Sequence, residues 1–100
     1  MLQTAISGHR FRVSGSLTPD AEAVFRKGLT SLLDSQARIV EIDLREVDLI
    51  TSTCIGALVT LWMDLRTNKR KMKLEVSARV KKILDMTGLT TILSMDALPG

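Results

Sequence analysis

The order of apolar patterns along this chain predicts an α/β domain: a mixed sheet of about four to five strands with three to four helices packed on it. Three observations lead there. Short β-branched runs alternate with stripes of helical period from Phe11 to Thr87. The order strand, strand, helix, strand, helix, strand, helix implies parallel neighbours joined by right-handed crossovers. The first two runs are separated only by Ser7-Gly8-His9, a tight turn that adds an antiparallel edge.

Leu2 to Ile6 alternates weakly and reads as a short strand. Phe11, Val13 and Gly15 alternate with Arg12, Ser14 and Ser16, the pattern of a strand with one wet face. Thr18-Pro19-Asp20 then opens a helix, with Thr18 as N-cap, Pro19 at the first helical position, and Asp20 and Glu22 on the positive helix end. Ala21, Val24, Phe25, Gly28, Leu29, Leu32 and Leu33 carry that helix to about Asp34. Ile39 to Leu44 reads as a central strand, and Arg45 to Ile50 as a connection. From Cys54, the stripe Ile55, Leu58, Val59, Trp62 and Leu65 predicts a second helix to about Thr67. The basic run after it, Asn68-Lys69-Arg70-Lys71, reads as a solvated helix end. Met72 to Ser77 forms the next strand. Ala78 to Thr87 is a third helix with Val80, Ile83, Leu84 and Met86 apolar, and Gly88 ends it in the left-handed conformation. Leu89, Ile92 and Leu93 form a last short amphipathic piece, and Ala97 to Gly100 frays.

With 100 residues, the chain is expected to be a single domain over positions 1–100 with one modest core. Hydrophobic residues make up 45% and charged ones 25%, a globular composition, and aromatics only 3%, so aliphatic side chains and Met must fill the core. The formal net charge of +3 is too mild to argue for nucleic acid, and no basic stretch is interleaved with aromatics to stack bases. The one cysteine allows no internal disulfide and fits a reducing compartment. No apolar run approaches the roughly 20 residues of a membrane span, and the N-terminus lacks the apolar stretch of a signal peptide. A cytoplasmic domain without membrane insertion is expected.

The chemistry concentrates in DLITSTCIGALV, Asp48 to Val59. Thr51-Ser52-Thr53-Cys54 puts three hydroxyls and a thiol directly before an amphipathic helix, on the path that follows a strand. Backbone N–H groups there lack intrahelical partners, and the helix end carries partial positive charge, so a phosphate is well placed. Two uses stay open on local chemistry. Ser52 or Thr53 caps the helix, or one of the hydroxyls is modified. His9 reads as an exposed turn residue, with no second ligand at metal spacing. Cys54 reads as a small buried or half-buried residue. Asp43, Glu46 and Asp48 lie near the loop without a nucleophile–base set, which favours structural hydrogen bonding over catalysis. Trp62 reads as core or as the rim of a partner surface. No catalytic residue, metal ligand or cofactor is expected.

The run IVEIDLREVDLITSTCIGALVTLW, residues 39–62, resembles the STAS domain of anti-sigma factor antagonists. In that family a strand ending in Asp-Leu leads through a Val-containing connection to an Asp-Ser-Ser-Gly-Leu-Gly loop before the second helix. Asp43-Leu44, Val47 and Ile50, and the loop Thr51-Ser52-Thr53-Cys54-Ile55-Gly56 occupy those places. RVKKILDMTGL, residues 79–89, is similar to the family's third-helix segment with its Thr-Gly-Leu end, and VSGSLTPDAEAVF, residues 13–25, to its lead-in to the first helix. The resemblance implies a single STAS-like domain and a regulatory binding module rather than an enzyme.

Carried over position by position, the family's phosphorylated serine falls on Thr53 and the serine before it on Ser52, with Thr51 to Gly56 as the partner-binding loop and helix face. The implied partner is an anti-sigma factor that is also a serine/threonine kinase of the histidine-kinase-like ATPase type. That partner binds the unmodified module and releases it on phosphorylation. Two positions depart from the pattern, Thr51 for the loop Asp and Cys54 for the loop Gly. They motivate an alternative: a constitutive interaction subunit or scaffold, for example of a transporter or signalling complex. A small enzyme or nucleotide binder on the same fold is a third reading, without a catalytic set behind it. The oligomeric state stays open.

Overall fold

A computed structural model of the chain describes residues 2–88. Four strands, β1 (Gln3–Ser7), β2 (Arg10–Leu17), β3 (Ile39–Ile50) and β4 (Lys71–Val76), form one sheet in the order β1-β2-β3-β4. β1 is the antiparallel edge, turned by Gly8 at φ 58°, and β2, β3 and β4 run parallel. The helices are α1 (Glu22–Asp34), α2 (Ser52–Thr67) and α3 (Ala78–Thr87). The mixed α/β sheet expected from the sequence is therefore present, with four strands and three helices among the described residues. The expected amphipathic piece at Leu89, Ile92 and Leu93 and the fraying at Ala97 to Gly100 fall outside them.

Register explains the layering. The rung Phe11–Ile42–Leu74 and the pair Val40–Met72 face the helices and are buried. The alternate rungs, Arg10–Glu41–Lys73 and Arg12–Asp43–Glu75, face the other way because successive side chains in a strand alternate. One side of the sheet is thus apolar under α1 and α2, and the other is charged. α3 lies against β3 and β4, and its Val80 and Leu84 join the same apolar cluster.

Several boundaries differ from the sequence expectation. Arg45 to Ile50 is not a connection but the second half of β3, paired with Ser14 to Leu17 of β2. β4 pairs only as far as Leu44, so this half has one neighbour, and two register shifts against β2, each with the extra residue on β3, break its alternation opposite Gly15 at φ 109°. Its polar side chains resemble a loop for that reason. Beyond the end of β4, the Ser77 hydroxyl donates to the Val47 carbonyl at 2.6 Å. Ser77 itself ends no strand but caps α3, accepting from Val80 N at 3.2 Å. Thr18 makes no side-chain cap. A 3₁₀ turn, Pro19–Ala21, intervenes and leads into α1.

Arg70 is not part of a solvated end. Its guanidinium donates to the carbonyls of Ala37, Leu33 and Leu32 at 2.7, 2.9 and 3.2 Å. It braces the C-terminus of α1 by donating to Leu33 O and, just beyond the helix, to Ala37 O, and it shares Leu32 O with Ser35 N and Oγ. The αL conformation expected at Gly88 is present, with φ 77°.

α1 sits close to β2 because Gly28 has no side chain. A Cβ there would clash with the Cζ edge of the Phe11 ring, which is buried and packs on Phe25 at 6.0 Å between centroids. A Gly28→Ala substitution gains up to about 1 kcal/mol of helix propensity, and overpacking the ring costs about 1–3 kcal/mol. Net destabilisation is expected. Urea unfolding of Gly28→Ala should show a lowered midpoint, and Phe11→Leu added to it should recover part of the loss.

Candidate functional site at the start of the second helix

β3 delivers the chain to Thr51, whose extended backbone (φ −85°, ψ 160°) makes it the N-cap of α2. Thr51 Oγ1 accepts from Cys54 N at 3.2 Å and donates to Glu22 Oε2 of α1 at 3.1 Å. Both capacities of that hydroxyl are therefore engaged. The cap is Thr51, not Ser52 or Thr53, because the strand continues to Ile50 and the helix begins at Ser52. Ser52 and Thr53 are exposed and make no side-chain hydrogen bond with any described residue.

The six positions Thr51 to Gly56 separate by direction. Cys54 and Ile55, 1% and 4% exposed, point into the core and offer a partner no side-chain surface. Thr53 and Gly56 face a groove between α1 and α2, and a Cβ at Gly56 would meet nothing within 4 Å. The groove is open to solvent and has a volume of about 520 Å³. On α2 it is lined by Thr53, Gly56, Ala57 and Thr60, small side chains at helical spacing. On α1 it is lined by Arg26, Leu29, Thr30 and Leu33, and Asp64 closes its far end. Trp62 lies in the core with the Arg66 guanidinium 5.1 Å from its ring centre.

The carboxylates near the loop do structural work. Asp43, 2% exposed at the centre of the charged sheet face, accepts from Arg45 N and Nε at 3.1 and 3.0 Å. Its other oxygen accepts from Arg45 and Arg10 guanidinium nitrogens, each at 3.0 Å. The Arg45 side chain holds the Asp43 carboxyl down to about 2, against the opposing effect of burial. Arg10 continues the network to Glu41 at 2.8 Å, and His9 stands 3.3 Å from Glu41 in its exposed turn. Asp48 accepts from Ser16 Oγ at 2.6 Å, which lowers its pKa. Among the described residues, no group of three or more His, Cys, Asp and Glu side chains is arranged to hold a metal ion, and no helix is long and apolar enough to cross a membrane.

Sequence reasoning missed Glu22 and Arg26 as parts of this site. Glu22 reads locally as a charge on its own helix end, and its partner Thr51 is 29 positions away. Its carboxylate lies at the start of α2, where the loop Asp of the STAS pattern is replaced by Thr51.

The family model described as Mlab, STAS domain matches residues 2–95, and the chain belongs to the STAS domain family. No curated protein sequence matches it. Among solved structures, an anti-sigma factor antagonist from Mycobacterium paratuberculosis is similar at 14% identity and TM-score 0.80, over 100% of this chain and 86% of that one. A sulfate transporter family protein from Wolinella succinogenes is similar at 17% identity and TM-score 0.73, over 95% and 80%. The Bacillus cell fate determinant SpoIIAA in its phosphorylated form is similar at 13% identity and TM-score 0.67, over 100% and 91%. At these identities the likeness is one of fold.

Two outcomes are expected. Thr51→Val should cost about 1 kcal/mol in chemical denaturation by removing the cap, whereas Ser52→Ala and Thr53→Ala should each stay within about 0.5 kcal/mol of the parent. Asp43 has a folded pKa of about 2 against 3.8 for the ordinary group, so its contribution is present above pH ~4 and lost as pH falls towards ~2. That contribution is at most about 2 kcal/mol, because exposed Arg45 and Arg10 share the pair with water. Unfolding free energies measured from pH 6 to pH 2 should fall more steeply for the parent than for Asp43→Asn.

Proposed function

We propose that the chain is a regulatory binding module of the anti-sigma factor antagonist type. Unmodified, it docks an anti-sigma factor that is also a serine/threonine kinase, of the histidine-kinase-like ATPase type, across the start of α2. Phosphorylation of Thr53 releases it. The observation that carries this function is the unengaged, exposed hydroxyl of Thr53 in the groove beside the helix N-terminus, next to a cap that Thr51 alone supplies. Ser52 is the second choice as acceptor, exposed but not lining the groove. The STAS family is generally a non-enzymatic binding domain, which supports a binding role without catalysis by this chain. A partner that uses ATP implies action in the cytoplasm.

The partner supplies ATP and the general base. Thr53 Oγ1 attacks the γ-phosphorus, its proton passes to the base, the new O–P bond forms and ADP leaves. The product carries about −1.5 to −2 charge and three acceptor oxygens. The fold is insulated from this change, since no described hydrogen bond uses the Thr53 side chain. The partner surface must instead accommodate a dianion, and a loss of about 3 kcal/mol at that interface cuts affinity more than a hundredfold.

A constitutive interaction subunit, for example in a transporter assembly, is the second reading. It is favoured by Thr51 and Cys54 in the loop, and by the fold likeness to the sulfate transporter family protein. The two readings separate in an affinity capture from source-cell lysate with the parent, Thr53→Ala and Thr53→Glu as baits. The switch predicts that the parent and Thr53→Ala retain an ATPase-fold kinase and that Thr53→Glu loses it by a hundredfold or more. Equal recovery by all three would favour the constitutive module.

A further inference from the structure

We propose that Arg26 of α1 is the internal counter-ion of a phosphate on Thr53, so that modification bridges α1 and α2 across the mouth of their groove. This rests on Thr53 as the acceptor. Arg26 and Thr53 line the same groove, and Arg26 is the one cation among the lining residues. Arg26 is exposed and makes no hydrogen bond or ion pair with any described residue. The hydrogen bond from Thr51 to Glu22 fixes the height of α1 against the start of α2. Arg26 follows Glu22 by one turn on the same side of α1, at the level of the first turn of α2, where Thr53 stands.

The charges around that point are unequal in their effect. The Glu22 carboxylate opposes a phosphate but is held by Thr51, and Asp64 lies three turns further along α2. A planar guanidinium matches phosphate oxygens in pairs, which a lysine does not reproduce. In the unmodified protein, Arg26 is free to meet a partner at the groove. In the modified protein its side chain turns to the phosphate across the mouth of the groove, with both helices in place, and the partner loses both a neutral threonine and an available cation. Arg26 is here a positioning residue for the modified state, and the unmodified fold does not depend on it.

The test installs phosphothreonine at position 53 by encoded incorporation, so that it does not depend on whether any kinase modifies that site. The ³¹P resonance is titrated in this protein and in its Arg26→Gln and Arg26→Lys forms. The phosphate of the parent should titrate about half a unit or more below that of Arg26→Gln, roughly threefold in ionisation constant, with Arg26→Lys between them. The helix N-terminus acts equally in all three and cancels. Unphosphorylated parent and Arg26→Gln should unfold at the same urea concentration. Equal phosphate titration in the parent and Arg26→Gln would overturn the bridge while leaving Thr53 as acceptor untouched. The lysate capture tests that acceptor role separately.

Discussion

The seating of α1 on β2 is the constraint from which the rest of the structure follows. Phe11 fills the space where Gly28 has no side chain, and that close approach sets the depth of α1 on the sheet. Two polar anchors then fix α1 along its axis. At its start Glu22 accepts from Thr51, and at its end Arg70 donates to the carbonyls of Leu32, Leu33 and Ala37. Each anchor comes from a segment flanking α2, one just before it and one just after. The groove between the helices therefore inherits its shape from three contacts, none of them inside the groove itself.

The opposite face of the sheet obeys a different logic. A sheet covered on one side must make its other side tolerable to water, and here it does so with charge. Ion pairs at a surface contribute little, about 0–1 kcal/mol each. Asp43 differs because Arg10 and Arg45 cover it until it is 2% exposed, and a covered carboxylate is costly unless every lone pair finds a donor. The two oxygens of Asp43 receive four such bonds. The network specifies register between β2 and β3 where alternation weakens towards Gly15, so its value lies in fixing the pairing as much as in stability.

The legible part of the fold was the part carried by period. α1, α2 and α3 follow from apolar stripes, and the antiparallel edge follows from a short turn with glycine. What stayed hidden shares one cause: a partner distant in the chain. The second half of β3 looks like a loop because Arg45, Glu46 and Asp48 are polar, and only pairing with β2 makes them a strand. Arg70 sits in a basic run at the end of one helix and serves the end of another. The cap of α2 lies one or two positions earlier than the hydroxyls of Ser52 and Thr53 suggest, since a strand continuing to Ile50 cannot be read from a segment whose alternation is broken. At the site itself the hydroxyl cluster was visible, but its division into cap, groove and core was not.

That division bears on how a charge added at this place would act. Had Thr53 been the cap, a phosphate there would remove a bond that α2 needs, and the modification would be felt as unfolding of the first turn. With Thr51 as cap, held from both sides by Cys54 N and Glu22, the helix start is complete without Thr53. Cys54 and Ile55 anchor the same turn in the core from beneath. The small stripe Thr53, Gly56, Ala57 and Thr60 then presents backbone close to the surface, where an added group projects into the groove rather than into packing. On the proposed function, the signal is consequently legible to a partner and silent to the fold, which is the property a reversible switch on so small a domain requires.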